Sequence, residues 1–213
     1  MYRLHCFAQS GNSFKVAFLL RALGQPFEPV FVDFMQGVTR RPEWRDQLND
    51  MGEAPVLDDG EQRLTQSGAI LIYLAKKHLA FGGASEQEQQ EILRWILFDN
   101  HKFTSYFASY RFSKSFVASA PDPAVMAWLK GRIDGAFNIV ERQLDGRDWL
   151  VGAAPTIADF SLSGYLFFPT AESGIDLAAT YPNMAAWVER LKALPGWENP
   201  YTMMPGEQLA PIW

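Results

Sequence analysis

The stretch Asn49-Asp50-Met51-Gly52-Glu53-Ala54-Pro55-Val56-Leu57-Asp58-Asp59-Gly60-Glu61-Gln62-Arg63-Leu64-Thr65-Gln66-Ser67-Gly68-Ala69-Ile70 decides how the rest of the chain is read. A loop runs into Ala54-Pro55, a short apolar strand follows, Asp58-Asp59-Gly60 turns the chain, and a second strand leads to a helix from Ser67. Asp-Gly between short extended runs is a hairpin signal. Pro55 cannot donate to a ladder, so it belongs at the start of its strand. An X-Pro bond at such a turn is a candidate for the cis isomer, which would turn the Ala54 backbone outward. Ser67 is a good N-cap, and the free amides and dipole of the helix behind it suit a carboxylate. A backbone edge for a peptide and a helix end for its charge, a few residues apart, suggest a small peptide-like anion as ligand.

Upstream, Tyr2 to Phe7 reads as a first strand and Ala8 to Asn12 as a polar turn. Val16, Leu19, Leu20 and Leu23 have the spacing of an amphipathic helix. Gly24 and Pro26 end it. Phe27 to Val32 reads as a second strand, and Pro29 within it argues for an edge position. Strand, helix, strand implies a parallel pair with a crossover helix. Residues 39–49, with Trp44 and Leu48 four apart, suit a short, loosely held helix. The helix from Ser67 runs to about His78, with Ile70 and Leu74 spaced to face a core.

Residues 80–85, Ala-Phe-Gly-Gly-Ala-Ser, form a flexible break and the expected boundary between units 1–79 and 86–213. Everything beyond reads helical. Ser85 and Glu88 suit a capping box for a long helix to about Phe116. A second helix follows Pro121-Asp122-Pro123 and ends near Gly146. Thr156 and Asp159 suit a reciprocal cap for a third, through Phe167, and Asn183 to Leu194 forms a fourth. The tail, with Pro200, Pro205 and Pro211 among Trp197, Tyr201 and Trp213, is irregular but too apolar to be freely solvated.

The chain has 213 residues, nearly half of them apolar, and a formal net charge of −5. Such a chain can bury a sizeable core. Its Lys and Arg are scattered, which argues against a nucleic-acid protein. A single cysteine excludes a disulfide framework and a cysteine-rich metal site. No His pair has metal-ligand spacing, so no metal is expected. The first residues lack the long apolar core of a secretion signal, and no apolar run reaches membrane-spanning length. The expectation is a soluble cytoplasmic protein without membrane or nucleic-acid partners.

The order of these elements and four motifs resemble the cytosolic glutathione transferases across the whole chain. The motifs are Ser10-Gly11-Asn12-Ser13 after the first strand, Ala54-Pro55-Val56-Leu57, Gln66-Ser67-Gly68-Ala69-Ile70, and Thr156-Ile157-Ala158-Asp159. The resemblance implies a mixed α/β plus all-α fold: an N-terminal thioredoxin-like βαβ–ββα domain, then a C-terminal helical-bundle domain. It implies glutathione as co-substrate, a small electrophile as second substrate, a homodimer and a role in detoxification. By resemblance, Ala54 pairs its backbone with the cysteinyl part of glutathione beside a cis Pro55, and Gln66 and Ser67 hold the γ-glutamyl end. Relatives often carry Lys or Gln where Glu53 stands, so no contact from Glu53 to the glycine carboxylate is assigned.

The nucleophile would be glutathione's own sulfur. A free thiol titrates near pH ~8.5, so the site must favour the thiolate, through donors aimed at sulfur and the positive end of a helix dipole. Ser10 and Asn12 sit where such donors are needed, and the family commonly uses Ser, Tyr or Cys at this turn. Some bacterial members use Thr or Ser together with Asn. Ser10 and Asn12 are therefore the candidate catalytic donors, with Ser13 a rival. As plain caps these serines would have no chemical role. Cys6 precedes the turn and reads as a buried small hydrophobe, which argues against a cysteine-dependent mechanism.

For the second substrate, Phe103, Tyr106 and Tyr110 on the long helix are the candidate pocket residues, from an aromatic run that also holds Trp95, Phe98 and Phe107. Phe112, Tyr201 and Trp213 are candidates to close the pocket. Core packing competes for most of these positions. By resemblance, Asp99 meets the glutathione amino group across a dimer interface, and a solvated surface role competes with that. Glutathione-dependent peroxide or disulfide reduction, and non-enzymatic glutathione binding, are the alternative functions.

Overall fold

The period-two alternation of the first strand sorts the N-terminal unit into two faces. In the computed structural model, which describes residues 1–213, β1 (Tyr2–Cys6) sends Tyr2, Leu4 and Cys6 into one core, while His5 and the following Phe7 face Trp44 and its neighbours on the other side. Helix α1 (Gly11–Ala22) crosses over to β2 (Phe27–Phe31), which pairs parallel to β1 with Leu4 opposite Pro29. The hairpin β3 (Val56–Asp59) and β4 (Gln62–Thr65) pairs antiparallel, and β3 pairs antiparallel to β1. The sheet order is β2-β1-β3-β4, so Pro29 lies on an edge strand, where its missing N–H costs no inner ladder bond. The Ala54–Pro55 peptide is cis. Helix α2 (Pro42–Gln47) covers the Trp44 face, and α3 (Ser67–His78) packs with α1 on the other. This is the expected thioredoxin-like arrangement.

The expected flexible break is in fact held. Phe81, at φ +60°, packs edge-on against Phe160 with ring centroids 5.1 Å apart, and its carbonyl accepts from the Ile157 amide at 2.9 Å. Beyond it come α4 (Glu86–Phe98), α5 (Thr104–Ser115), α6 (Pro123–Gln143), α7 (Ile157–Ser163), α8 (Thr170–Ser173), α9 (Leu177–Thr180), α10 (Pro182–Lys192) and α11 (Pro200–Met203). Ser85 caps α4 by accepting from the Glu88 amide. The long helix expected from Ser85 to Phe116 is interrupted: Asp99–Phe103 form a π-helical turn, in which the Thr104 amide bonds to the Asp99 carbonyl. That extra residue per turn shifts the faces of everything after it. No helix is long and apolar enough to cross a membrane.

Two polar clusters lock this scaffold. Inside the helical unit, Thr156 caps α7 while the Asp159 carboxylate accepts from the Thr156 amide at 2.8 Å, the Leu150 amide at 3.0 Å and the Trp187 indole at 3.0 Å. Burial pushes the Asp159 carboxyl up to about 6, against the pull of these donors towards the anion. Between the units, Lys15 of α1 and Asp99 of the π-turn form a fully buried ion pair at 2.6 Å. Thr104 donates to the second Asp99 oxygen at 2.5 Å, and Ser161 of α7 donates to the first at 2.6 Å. Burial lowers the Lys15 pKa, and the Asp99 charge opposes that shift. One apolar core of 40 buried residues runs through both units around this pair, so the helical unit is packed onto the sheet unit and not merely tethered to it.

Thr156→Ala should cost about 1 kcal/mol, and Asp159→Ala more, about 3 kcal/mol, because it strands three buried donors; urea midpoints compared at constant m-value measure both. Lys15→Met should cost about 3–5 kcal/mol by leaving a buried carboxylate unpaired, and Lys15→Met/Asp99→Leu should cost less than that single change. A double variant less stable than Lys15→Met would contradict the pairing.

Candidate active site

Ser10 stops the strand-to-helix turn at φ −87°, ψ 105° and caps α1 by accepting from the Ser13 amide at 3.0 Å. Its carbonyl takes the Phe14 amide. Of the first-turn amides of α1, those of Gly11 and Asn12 are therefore left over. At the other side of the sheet unit, Gln66 holds φ +66°, a left-handed value rare for a side chain of this kind, just ahead of α3. Its amide donates to Glu53 at 2.7 Å, which ties the entry of α3 to the loop before Pro55. Ser67 donates to the Asn12 side-chain oxygen at 3.4 Å, which leaves the Asn12 NH₂ group as a donor.

Ser10, Asn12, Ala54, Pro55, Gln66 and Ser67 line a single cavity of about 410 Å³. The N-termini of α1 and α3 both end on it, so its field favours an anion. Its carboxylate is Glu53, and neither lysine nor arginine is among its lining residues. Asn100, Thr104 and Ser105 contribute from the helical unit. A larger cavity, about 840 Å³, opens between α3, α4 and the 151–157 loop, and includes none of the residues assigned to binding or chemistry. No group of three or more His, Cys, Asp or Glu side chains is arranged to hold a metal.

The other sequence candidates are placed differently. Asp99 is fully buried against Lys15, so its carboxylate is out of reach of a ligand or a partner subunit. Asp99 continues the buried face of α4 marked by Ile92, Trp95 and Ile96, and the buried Lys15 on the facing helix is what admits a carboxylate there. Phe103 stacks on Phe137 with centroids 4.7 Å apart and belongs to the core. Tyr106 meets Trp128 of α6 edge-on at 5.7 Å, and Tyr110 packs against the core; neither lines the cavity. Ser13 is fully buried and also off the cavity. Burial pushes the Cys6 thiol up to about 12, so it is inert as a nucleophile at neutral pH. Trp213 is tied over the end of α5 by its indole, which donates to the Val117 carbonyl at 2.9 Å.

Three features of the site escaped sequence reasoning. The aromatic wall comes from Phe7 and Phe34, stacked with centroids 4.6 Å apart, and Phe34 in turn meets Phe112 edge-on. Behind the first turn, buried Arg111 donates to the Gln9 carbonyl at 2.8 Å and to Glu172 at 2.7 Å, and lies 3.9 Å from the Phe168 ring centroid. Tyr201 donates to the other Glu172 oxygen at 2.7 Å. The signal for Arg111 was a lone cation four residues after Phe107 on the apolar face of its helix. Tyr165, also on the cavity wall, carried no local signal at all.

Comparison with known proteins agrees with this geometry. Residues 2–76 match the glutathione S-transferase N-terminal domain and residues 123–190 the C-terminal domain. Glutathione S-transferase F14 of Arabidopsis thaliana is 30% identical over 205 residues, covering 92% of this chain and 80% of that protein. The crystal structure of a glutathione S-transferase from Xanthobacter autotrophicus Py2 is similar with a TM-score of 0.84 and 32% identity, over 93% of this chain and 96% of that one. The glutathione transferase URE2P8 from Phanerochaete chrysosporium, solved with oxidized glutathione, is similar with a TM-score of 0.83 and 25% identity, over 94% and 93% of the two chains. Sheet topology, paired helix ends and near-full-length similarity together establish that the chain belongs to the glutathione S-transferase family.

Proposed function

We propose that this protein is an enzyme, a glutathione S-transferase that binds glutathione in the cavity between α1, Pro55 and α3 and activates its thiolate for attack on a small apolar electrophile. The observation that carries this reading is the convergence of Ser10, Asn12, Ala54, Pro55, Gln66 and Ser67 on one anion-favouring cavity. In this reading the Ala54 backbone pairs with the cysteinyl part of the tripeptide. Gln66, Ser67 and the free amides of α3 hold the γ-glutamyl carboxylate. The Ser/Asn turn takes the place of a Tyr or Cys turn: Ser10, whose oxygen accepts from Ser13, keeps its own proton to donate, and Asn12 offers its NH₂.

The thiol proton leaves to solvent. The thiolate then attacks the electrophilic carbon, a C–S bond forms, and the leaving group departs with its electron pair. Phe7 and Phe34 supply a flat apolar wall for the electrophile, in place of Phe103, Tyr106 and Tyr110. Soluble, cytoplasmic detoxification by a homodimer, with units 1–79 and 86–213, completes the proposal. A second reading, glutathione-dependent disulfide or peroxide reduction, is favoured by the oxidized glutathione bound to the Phanerochaete relative.

Ser10→Ala/Asn12→Ala should raise the pKa of bound glutathione by about one unit, a loss of about 1.4 kcal/mol of thiolate stabilisation. Thiolate absorbance titrated against pH reads this directly, and an unchanged curve would reject the assigned donors. Absence of a binding heat with millimolar glutathione, in folded wild-type protein, would reject the function. Conjugation of an aromatic halide, compared with reduction of a hydroperoxide and a small disulfide, separates the two readings.

A further inference from the structure

Helix α7 ends against the first turn of α1 with almost no space between the backbones. A Cβ on Gly164 would lie 2.6 Å from the Gly11 carbonyl oxygen, and a Cβ on Gly11 would lie 2.4 Å from Cγ and Cδ2 of Tyr165. Two residues without side chains therefore let the Tyr165 ring cover the start of α1. The ring also forms part of the cavity wall beside Ser10 and Asn12.

The groups beside Tyr165 at the first turn of α1, over which its ring sits, are donors or positive. They are the Ser10 hydroxyl, the Gly11 and Asn12 amides, and the Arg111 guanidinium, whose carbon is 5.7 Å from the ring centroid. Those two amides are the ones that the Ser10 cap leaves over. A phenol oxygen surrounded by donors accepts hydrogen bonds and keeps its single proton free to donate elsewhere. Tyr165 is itself a lining residue of the cavity.

We propose that Tyr165 is a further catalytic residue, contributed by the helical unit, whose hydroxyl donates to the glutathione sulfur and passes on to it the positive field of the α1 N-terminus. The inference rests on the glutathione reading and deepens it. Burial holds the Tyr165 pKa above its ordinary value despite the nearby donors, so the phenol remains the donor throughout and the thiol proton goes to solvent. The Gly11 amide acts here through the Tyr165 oxygen, while Ser10 and Asn12 keep the donor roles assigned to them above. The neighbouring charges are fixed in pairs: Arg111 of α5 with Glu172 of α8, and Lys15 of α1 with Asp99 of the π-turn. Glu53 stands on the cavity wall with the Gln66 amide as its partner.

The test is Tyr165→Phe, which keeps the ring over Gly11 and removes only the hydroxyl; Tyr165→Leu, which removes both, reports what the ring contributes to stability. Wild type and variants are compared by calorimetry with glutathione, thiolate absorbance against pH, and kcat and KM with an aromatic halide. Tyr165→Phe should bind glutathione within about threefold of wild type. It should raise the pKa of the bound thiol by about one unit and lower kcat about tenfold near pH 6.5, with the deficit shrinking as pH rises past that pKa. An unchanged bound-thiol pKa in Tyr165→Phe, with wild type forming the thiolate normally, would overturn the role of Tyr165 alone. Failure of wild type itself to bind glutathione would overturn the glutathione reading and this inference with it. A rate deficit independent of pH would mark Tyr165 as structural and reject its donation to sulfur.

Discussion

The fully buried Lys15–Asp99 pair is the constraint on which the relative placement of the two units depends. Its partners are 84 residues apart in sequence and lie on opposite sides of the junction. Isolated burial of either charge would cost several kcal/mol, so each is admitted to the core only because the other, with Thr104 and Ser161, satisfies it. Apolar contacts alone would tolerate small slips of helix on helix, whereas hydrogen-bonded charges at 2.6 Å do not. Thr104 matters twice, since it donates to Asp99 and also lines the cavity beside Ser10 and Asn12. The lock between units and the wall of the site are thus one piece of structure.

A second buried pair, Arg111–Glu172, bears the same relation to the first turn. Arg111 reaches from α5 to the Gln9 carbonyl, one residue before the α1 cap. The turn that presents Ser10 and Asn12 is therefore held from behind by the helical unit. Preorganised donors do not have to reorient when charge develops on the ligand, which is where electrostatic stabilisation gains its effect. Apart from Glu53, the cavity uses neutral donors and helix ends, and the cations Arg111 and Lys15 stay behind it, where they fix geometry without competing for the ligand.

The cavity is built from two helix N-termini with different uses. At α3, the chain enters through Gln66 at a positive φ, and the Glu53–Gln66 bond holds that entry. At α1, the Ser10 cap consumes the Ser13 amide and leaves the Gly11 and Asn12 amides over, beneath the Tyr165 ring. The first end is free for a ligand carboxylate. In the proposed mechanism the second works on the ligand through Ser10, Asn12 and a side chain from the other unit. This division follows from which amides the caps satisfy.

Much of this was legible in the chain because the relevant rules are local. Asp-Gly makes the hairpin, Pro55 starts its strand, Pro29 marks the edge, Ser85 and Thr156 cap helices, and period-two burial orients β1; each involves residues within a few positions of one another. The same locality placed Ser10, Asn12, Ala54, Pro55, Gln66 and Ser67 at turns and helix starts that the sheet then brings together. The tertiary structure decided what long-range contact decides. Asp99 and Phe103 continue the buried face of Ile92, Trp95 and Ile96, but only the packing against that face shows that Asp99 meets Lys15 of α1 there and Phe103 stacks on Phe137. The close approach of Gly164 to Gly11 brought Tyr165 to the cavity from about 150 residues away, and packing drew Arg111 behind the active turn. Side-chain direction on a helix follows backbone register and neighbours, not residue type alone, so the sequence by itself determined the scaffold and the turns, while packing between the two units decided which side chains reach the ligand.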